Sequence, residues 1–257
     1  MDKYEKNIEI LRFLKQNCGA CAIKLEFETE YTTDNDNNLF KELAKQSDME
    51  LSIKIGGAGA FRDLILAKNM GANNIIAPMV ESVYSLKKFV DSVKLLQDNN
   101  IKLYFNLETI GGFSNLDLML ENTSLIKSLA GVVFGRTDFA HSLGFQDCKE
   151  ANSSEVLDYL NLSLKKLENT ALEVLVGGNI SFHSIDFLRK VNSDIFSKIE
   201  TRKVVFNKEK FLSNPNLAIK KALEFEQNWL EMKEIPSFFD KKRIDLLKKR
   251  LSEDVCS

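Results

Sequence analysis

Residues 101–144 read IKLYFNLETIGGFSNLDLMLENTSLIKSLAGVVFGRTDFAHSLG, and this stretch decides the fold. It holds two apolar, strand-like runs, the first ending in Glu108 and the second in Asp138. Between them lie the pair Gly111-Gly112 and a short helix candidate, Leu116–Leu120. Alternation puts Tyr104, Asn106 and Glu108 on one face of the first run, with Leu103, Phe105 and Leu107 opposite. A polar face that ends in a carboxylate, backed by an apolar face, suits the wall of a parallel barrel better than an ordinary core strand.

Working outward, strand and helix patterns alternate. Lys3–Gln16 has helical period and Gly19 ends it. Cys21–Glu30 alternates as a strand, with Lys24, Glu26 and Glu28 on one face. Leu51–Gly57 carries Lys54 opposite Ile53 and Ile55, and Asn74–Val80 is apolar throughout, as expected of a strand buried on both faces. Ser82 is placed to cap a helix over Tyr84–Gln97, and Ser153 and Ser154 a helix running to Asn169. Glu173–Gly178 and Ile195–Phe206 are further strands, the last with Lys198, Glu200 and Arg202 on one face. Asn214-Pro215 opens a long helix to about Lys233, Pro236 breaks it, and Lys241–Leu251 is a final charged helix.

Strands alternating with helices of this length indicate βαβ units and a parallel sheet. The alternative, an open doubly wound sheet, expects strands apolar on both faces, whereas four of these carry charge on one. The reading is therefore α/β, a (β/α)8 TIM-type barrel of seven evident strands. The eighth is hidden around the last strand or contributed elsewhere. The barrel domain spans residues 1–213, and residues 214–257 form a helical extension that packs on the barrel or on a neighbouring subunit.

Length and composition agree. A chain of 257 residues with 44% hydrophobic and 28% charged residues can bury a full core. A net charge of -2 argues against nucleic-acid binding through charge. No apolar run is long enough to span a membrane, and the start lacks a signal-peptide core, so a cytoplasmic protein is expected. Cys18 and Cys21 have CxxC spacing but no second ligand pair; with Cys148 and Cys256 they read as reduced packing cysteines.

With polar faces inward, one mouth gathers Lys24, Glu26, Glu28, Lys54, Asn106, Glu108, Arg136, Asp138, Lys198, Glu200 and Arg202. A self-neutralising network is the plain reading for those toward the N-terminal strand ends, Lys24 and Lys198. Glu108 and Asp138 stand at C-terminal ends, where barrel enzymes build their sites. Two carboxylates completed by water suit a hard divalent cation, Mg²⁺ or Mn²⁺, able to polarise the carbonyl of a 2-oxo acid.

The segments NLETIGGFSNLDLML and GVVFGRTDFAHSLG resemble the IETxxGxxNxxEI…FGxxDxxxxLG signature of the HpcH/HpaI aldolase and citrate lyase beta-subunit superfamily. IIAPMVES and KLEFETE are similar to two more of its strands, in order, and the resemblance spans roughly Cys21 to Phe206. It implies a phosphoenolpyruvate/pyruvate-binding barrel, a homo-oligomer (trimer or hexamer), and cleavage or formation of C–C bonds next to a carbonyl through a metal-bound enolate. Carried over by motif, Glu108 and Asp138 are the metal ligands, and the Gly135, Arg136, Thr137 backbone helps hold a substrate carboxylate. Lys54 stands where the family has its substrate arginine, and loses the bidentate fork. Arg136 or Arg202 is placed to compensate. Thr29 stands where the aldolase branch has a histidine, which leaves Glu26 or Glu28 as base if burial raises its pKa. His141 reads as a surface or helix-start residue, and one N-terminal helix replaces the usual first strand and helix.

The expected activity is a carbon–carbon lyase or aldolase acting on a small 2-oxo acid or 3-hydroxy acid. Alternatives are a citrate-lyase-like enzyme acting on a thioester and a catalytically inactive metabolite-binding barrel. Partners are small molecules, with no nucleic acid and no membrane.

Overall fold

Asp2 caps the first helix, α1 (Lys3–Cys18), by accepting from the Glu5 amide, and Gly19 ends it in the left-handed region at φ 74°. In the computed structural model, which describes residues 2–253, the chain then enters β1 (Ala20–Glu26). There follow β2 (Glu50–Lys54), β3 (Asn74–Ala77), β4 (Lys102–Leu107), β5 (Gly131–Gly135), β6 (Glu173–Gly177) and β7 (Phe196–Glu200), each parallel to its predecessor. The eighth strand, β8 (Val204–Asn207), runs antiparallel to both β7 and β1 and closes the barrel.

The expectation of one long last strand is thus corrected. Ile195–Phe206 is a hairpin, turned at Thr201, Arg202 and Lys203, and the missing strand is its returning arm. The Thr201 hydroxyl accepts from the Val204 amide at 3.0 Å and so holds the turn. The hairpin brings the Lys203 carbonyl against the Lys24 amide at 2.9 Å, and the Gly19 carbonyl against the Asn207 amide at 2.9 Å. A bulge between Ala20 and Ala22 absorbs the change of direction at this seam.

Helices cover the outside. They are α2 (Asp34–Gln46), α3 (Phe61–Met70), α4 (Val83–Lys94), α5 (Ile110–Ser114), α6 (Leu116–Glu121), α7 (Thr123–Ile126), α8 (Arg136–Ser142), α9 (Ser154–Leu167) and α10 (Ile185–Lys190). After β8 come α11 (Lys208–Ser213), α12 (Pro215–Met232) and α13 (Phe238–Glu253). Ser82 and Ser153 cap α4 and α9 as expected. α12 lies against α1 and completes the outer ring beside it. Its Trp229 meets Phe40 of α2 edge-on, ring centres 4.7 Å apart.

The main core lies between the outward faces of the strands and this ring. Inside the barrel a thin apolar layer, Ala22, Ile76, Tyr104, Val133, Leu175 and Val205, divides two polar ends. At the N-terminal end Glu173 accepts from Lys198 and the Tyr104 hydroxyl, each at 2.7 Å, while Glu50 pairs with Lys102 at 2.8 Å. Lys198 therefore belongs to a self-neutralised floor and leaves the mouth set. Cys18, Cys21 and Cys148 are unpaired thiols, and Cys256 lies outside the described residues. No helix of the described residues is long and apolar enough to cross a membrane.

Candidate active site

The C-terminal ends of the parallel strands open into a cavity of about 460 Å³. Its wall includes Lys24, Glu26, Glu28, Lys54, Asp138 and Glu200, with α13 across one side. β1 aims Lys24 and Glu26 inward, two residues apart, and β7 brings Glu200 beside them. Lys24 Nζ lies 2.9 Å from Glu26 and 2.5 Å from Glu200. Against the downward push of burial, Glu200 and Glu26 hold the Lys24 ammonium firmly protonated. Against the upward push of burial on Glu26, Lys24 and then Arg202, Lys203 and Lys54 keep that carboxyl well below the ordinary range. The condition set for Glu26 as base, a raised pKa, is therefore not met: its charge is committed to Lys24.

Glu28 follows the end of β1, in a turn rather than on the strand face, and takes Lys54 Nζ at 2.7 Å. Lys54, at the end of β2, also lies 3.7 Å from Glu108 Oε2. Burial lowers the Lys54 pKa, but Glu108 and Glu26 outweigh it and keep the ammonium charged.

Glu108, just beyond β4, sits beneath the cavity wall with its side chain 1% exposed. Its Oε1 accepts from the Met79 amide at 2.9 Å and its Oε2 from Asn106 Nδ2 at 2.7 Å. Burial pushes its carboxyl upward and the neighbouring Asp138 adds to the shift, with Lys54 and the two hydrogen bonds opposing them. Gly135 makes the position possible, since a Cβ there would meet Glu108 Cβ and Oε2 at 2.8 Å. Met79 holds the strained φ of 49° that aims its amide at Glu108. The Gly111-Gly112 pair serves the same neighbourhood. A Cβ at Gly111 would meet Glu81 Oε1, and one at Gly112 the Val80 carbonyl, both at 3.1 Å.

Asp138, in the first turn of α8, faces the cavity beside Thr137, whose buried hydroxyl has no partner. Gly178 of the following loop leaves the Arg136 and Thr137 amides without a covering side chain; a Cβ there would come within 2.7 and 2.6 Å of them. Arg136 itself turns away. Its Nε donates to the Gly177 carbonyl at 3.0 Å, Nη1 to Asn152 and Ala151, and Nη2 to Gly178 and Ser184. With Phe187 under the guanidinium and burial pushing its pKa down to about 9, Arg136 braces the loops behind the mouth. The expected compensation for the missing family arginine does not come from it.

Arg202 sits in the hairpin turn, 3.3 Å from Glu30 and 3.8 Å from Glu226. Sequence reasoning missed four of its neighbours. Lys203 is fully buried and pairs with Glu30. Glu226 of α12 accepts both Nε and Nη2 of Arg243 from α13, at 2.6 and 3.0 Å. The signal for Glu226 was present: it falls on the apolar stripe of Ile219, Ala222, Leu223, Trp229 and Leu230, where a carboxylate requires a partner. Lys203 had no comparable signal, because the hairpin turn was itself unread.

The mouth is electrically divided. On its floor Glu26, Glu28, Glu108, Asp138 and Glu200 stand against two lysines, Lys24 and Lys54. On its rim Glu226 is shared between Arg202 and Arg243, and behind the rim the buried Glu30 is shared between Arg202 and Lys203. Among the described residues no three His, Cys, Asp or Glu side chains form a ready-made metal cluster. Of the two sequence-predicted metal ligands, Asp138 lines the cavity, whereas Glu108 lies beneath it with both oxygens hydrogen-bonded, so a cation held by the pair would have to draw one of those oxygens from its present donor.

Fold and site together define a closed eight-stranded α/β barrel with a polar C-terminal mouth. Among solved structures the chain is similar to the HpcH/HpaI aldolase from Desulfitobacterium hafniense DCB-2, at TM-score 0.55 and 15% identity, over 72% of this chain and 78% of that one. It is also similar to an HpcH/HpaI aldolase/citrate lyase family protein from Burkholderia cenocepacia J2315, at TM-score 0.55 and 12% identity, over 68% and 76%. A variant of the citrate synthase SbnG superposes with TM-score 0.51 at 13% identity, over 74% and 88%. Likeness at such identities is likeness of fold, and it is the fold implied by the sequence motifs. No family model and no curated protein matches the sequence.

Proposed function

We propose that the protein is a divalent-metal-dependent carbon–carbon lyase or aldolase that acts on a small 2-oxo or 3-hydroxy acid through an enolate. The observation that carries this reading is the acidic excess of the floor around Glu108 and Asp138. These two carboxylates would hold Mg²⁺ or Mn²⁺, which when bound supplies Lewis-acid polarisation of the substrate carbonyl. The amides after Gly135 and the Thr137 hydroxyl would orient the substrate carboxylate, a role supported by the missing side chain at Gly178 and the unpartnered Thr137 hydroxyl. Lys54 keeps its proton and neutralises charge that develops on the enolate oxygen. Glu28, partly buried and paired with Lys54, is left as the base that would take and return the proton next to the carbonyl, for which it must release Lys54. Glu26 and Lys24 fix the floor, and Arg202 serves substrate from the rim.

Exchange of the methyl protons of pyruvate in D₂O, followed by NMR with Mg²⁺ present, tests this reading. The wild type is expected to exchange them and Asp138→Asn to lose the activity. A wild type that binds metal and pyruvate but exchanges no protons favours the metabolite-binding barrel instead.

A thioester substrate is the second reading. A neighbouring cavity of about 880 Å³, lined by Lys149, His183, Lys220 and Arg250 and, among the described residues, by no carboxylate, adjoins the mouth through Asn179, Leu223 and Arg250. Assembly into a trimer or hexamer is proposed through the exposed Ile235, Phe238 and Phe239. Sedimentation of a Phe238→Ser, Phe239→Ser variant is expected to show a smaller species than the wild type.

A further inference from the structure

We propose that Glu200 is a catalytic residue whose free oxygen, Oε2, takes the proton of a substrate hydroxyl as the carbon–carbon bond breaks. The proposal rests on the reading of the floor as an enolate-forming site and assigns the second proton that such a cleavage must move.

The chemistry sets the requirement. When a C–C bond breaks to leave an enolate, its electron pair stays with the enolate carbon and the departing carbon leaves as a carbonyl. That carbon must carry a hydroxyl, and the hydroxyl proton needs an acceptor at that end of the bond.

Most carboxylates of the floor are already engaged. Glu26 pairs with Lys24 through Oε1 and accepts from Thr29 Oγ1 through Oε2 at 3.2 Å. Glu108 has both oxygens bonded, and Glu28, in the turn beyond β1, is paired with Lys54 at 2.7 Å. Glu200 differs. Its Oε1 takes Lys24 at 2.5 Å, while its Oε2 is the one carboxylate oxygen among the described residues that is buried with no partner. The residue is 6% exposed and lines the cavity. A buried carboxylate oxygen left unpaired is unfavourable until a donor reaches it, and the cavity is where a ligand brings one.

Position agrees with the role. Gly135 of β5 and Gly177 of β6 are register partners. A Cβ at Gly135 would meet Glu108 Oε2 at 2.8 Å, and one at Gly177 would meet Glu200 Oε1 at 3.5 Å. Glu108 and Glu200 thus flank two adjacent strands, about 4.8 Å apart, that carry no side chain at this level. The gap receives the breaking bond, with the carbonyl toward Glu108 and Asp138 and the hydroxyl toward Glu200.

Lys24 makes the carboxylate usable. Glu26 holds it at 2.9 Å from the other side, so Glu200 can take a proton without leaving the ammonium unpaired. The step balances. The O–H bond breaks and its proton passes to Glu200 Oε2. The oxygen's electron pair forms the C=O of the departing aldehyde or ketone, and the pair of the broken C–C bond becomes the enolate. Glu28 gives a proton to the enolate carbon and regains one from solvent, while the proton on Glu200 leaves to solvent.

Two assays on the full-length protein in Mg²⁺ test the assignment. One is exchange of the pyruvate methyl protons in D₂O, which involves no hydroxyl. The other is release of pyruvate from 4-hydroxy-2-oxobutanoate, 4-hydroxy-2-oxopentanoate and 4-hydroxy-2-oxoglutarate. The wild type is expected to exchange pyruvate and to cleave at least one of these acids. Glu200→Gln is expected to slow kcat for cleavage at least about a hundredfold more than exchange, the lower end of what a general base contributes, with KM moving less than kcat. Glu200→Asp, which keeps the charge beside Lys24 but withdraws the oxygen by one methylene, should show the same selective loss at about tenfold or more. Equal loss of cleavage and exchange in both variants assigns Glu200 to structure alone and overturns the proposal, as does cleavage retained in Glu200→Gln. Exchange by a wild type that cleaves none of the acids overturns it and leaves the floor reading intact. Absence of both activities removes the two readings together.

Discussion

Glu108 is an acid whose surroundings work against its charge. Burial and Asp138 raise its pKa, and Lys54 at 3.7 Å opposes them only in part. A carboxyl raised by folding favours the native state when protonated, so that contribution is lost as pH rises through its folded pKa. A cation held by the ionised carboxylate replaces it. Mg²⁺ is therefore predicted to raise the thermal midpoint more near neutral pH than in mild acid, and metal affinity should fall as pH drops through the raised Glu108 pKa. Calorimetric melting across pH, with and without Mg²⁺, measures this; a pH-independent increment contradicts it. Gly178 is the second critical residue. Its φ of +85° and the 2.6 Å approach to the Thr137 amide predict that Gly178→Ala costs about 1–3 kcal/mol in urea unfolding and weakens binding of the substrate carboxylate.

The β7–β8 hairpin decides whether the barrel closes. Glu30 and Lys203 are both buried and face each other across the seam between the loop after β1 and the hairpin turn. Removing one member of such a pair strands the other. Glu30→Gln is thus expected to cost about 3 kcal/mol by urea denaturation, whereas Asp91→Asn in the exposed pair Lys87–Asp91 should leave the urea midpoint essentially unchanged. This seam also marks where sequence reading stopped. β1, β2, β4 and β7 were legible because period-two alternation put Lys24, Lys54, Asn106 and Glu200 inward against apolar outer faces, and β3, β5 and β6 as short apolar runs. β8 was not, because Glu200-Thr201-Arg202-Lys203 carries no Gly, Asn or Pro to announce a turn and Val204–Phe206 looks like continued strand. Arg136 misled for a related reason: its position after Gly135 marks a strand end, but it is already the first residue of α8 and points behind the mouth. Glu108 was readable because it follows an apolar run at the end of its strand; Asp138 follows such a run too, but it stands in the first turn of α8, three residues past β5, and not at the strand end expected of it.

For the molecule as a whole, α12 and α13 differ in kind. α12 buries Phe225, Trp229 and Leu230 in the core, whereas α13 buries only Leu247 fully among the described residues, packs Ile244 and Leu251 beside it, and ties to the mouth through Arg243 and Arg250. Trp229→Ala is predicted to cost about 3–5 kcal/mol, since the ring is fully buried and its Nε1 has no partner, leaving packing as its whole contribution. Circular-dichroism melting should show a chain ending at Ser213 failing to fold and one ending at Pro236 retaining a cooperative transition. The two ends of the mouth, acidic floor and cationic rim, depend on this arrangement, and the floor is the more basic claim. Mn²⁺ titration followed by electron paramagnetic resonance tests it most directly. One ion bound per wild-type chain, with affinity lost in both Glu108→Gln and Asp138→Asn, is the predicted result. Mn²⁺ binding left intact by both substitutions, or absent from the wild type, would contradict it.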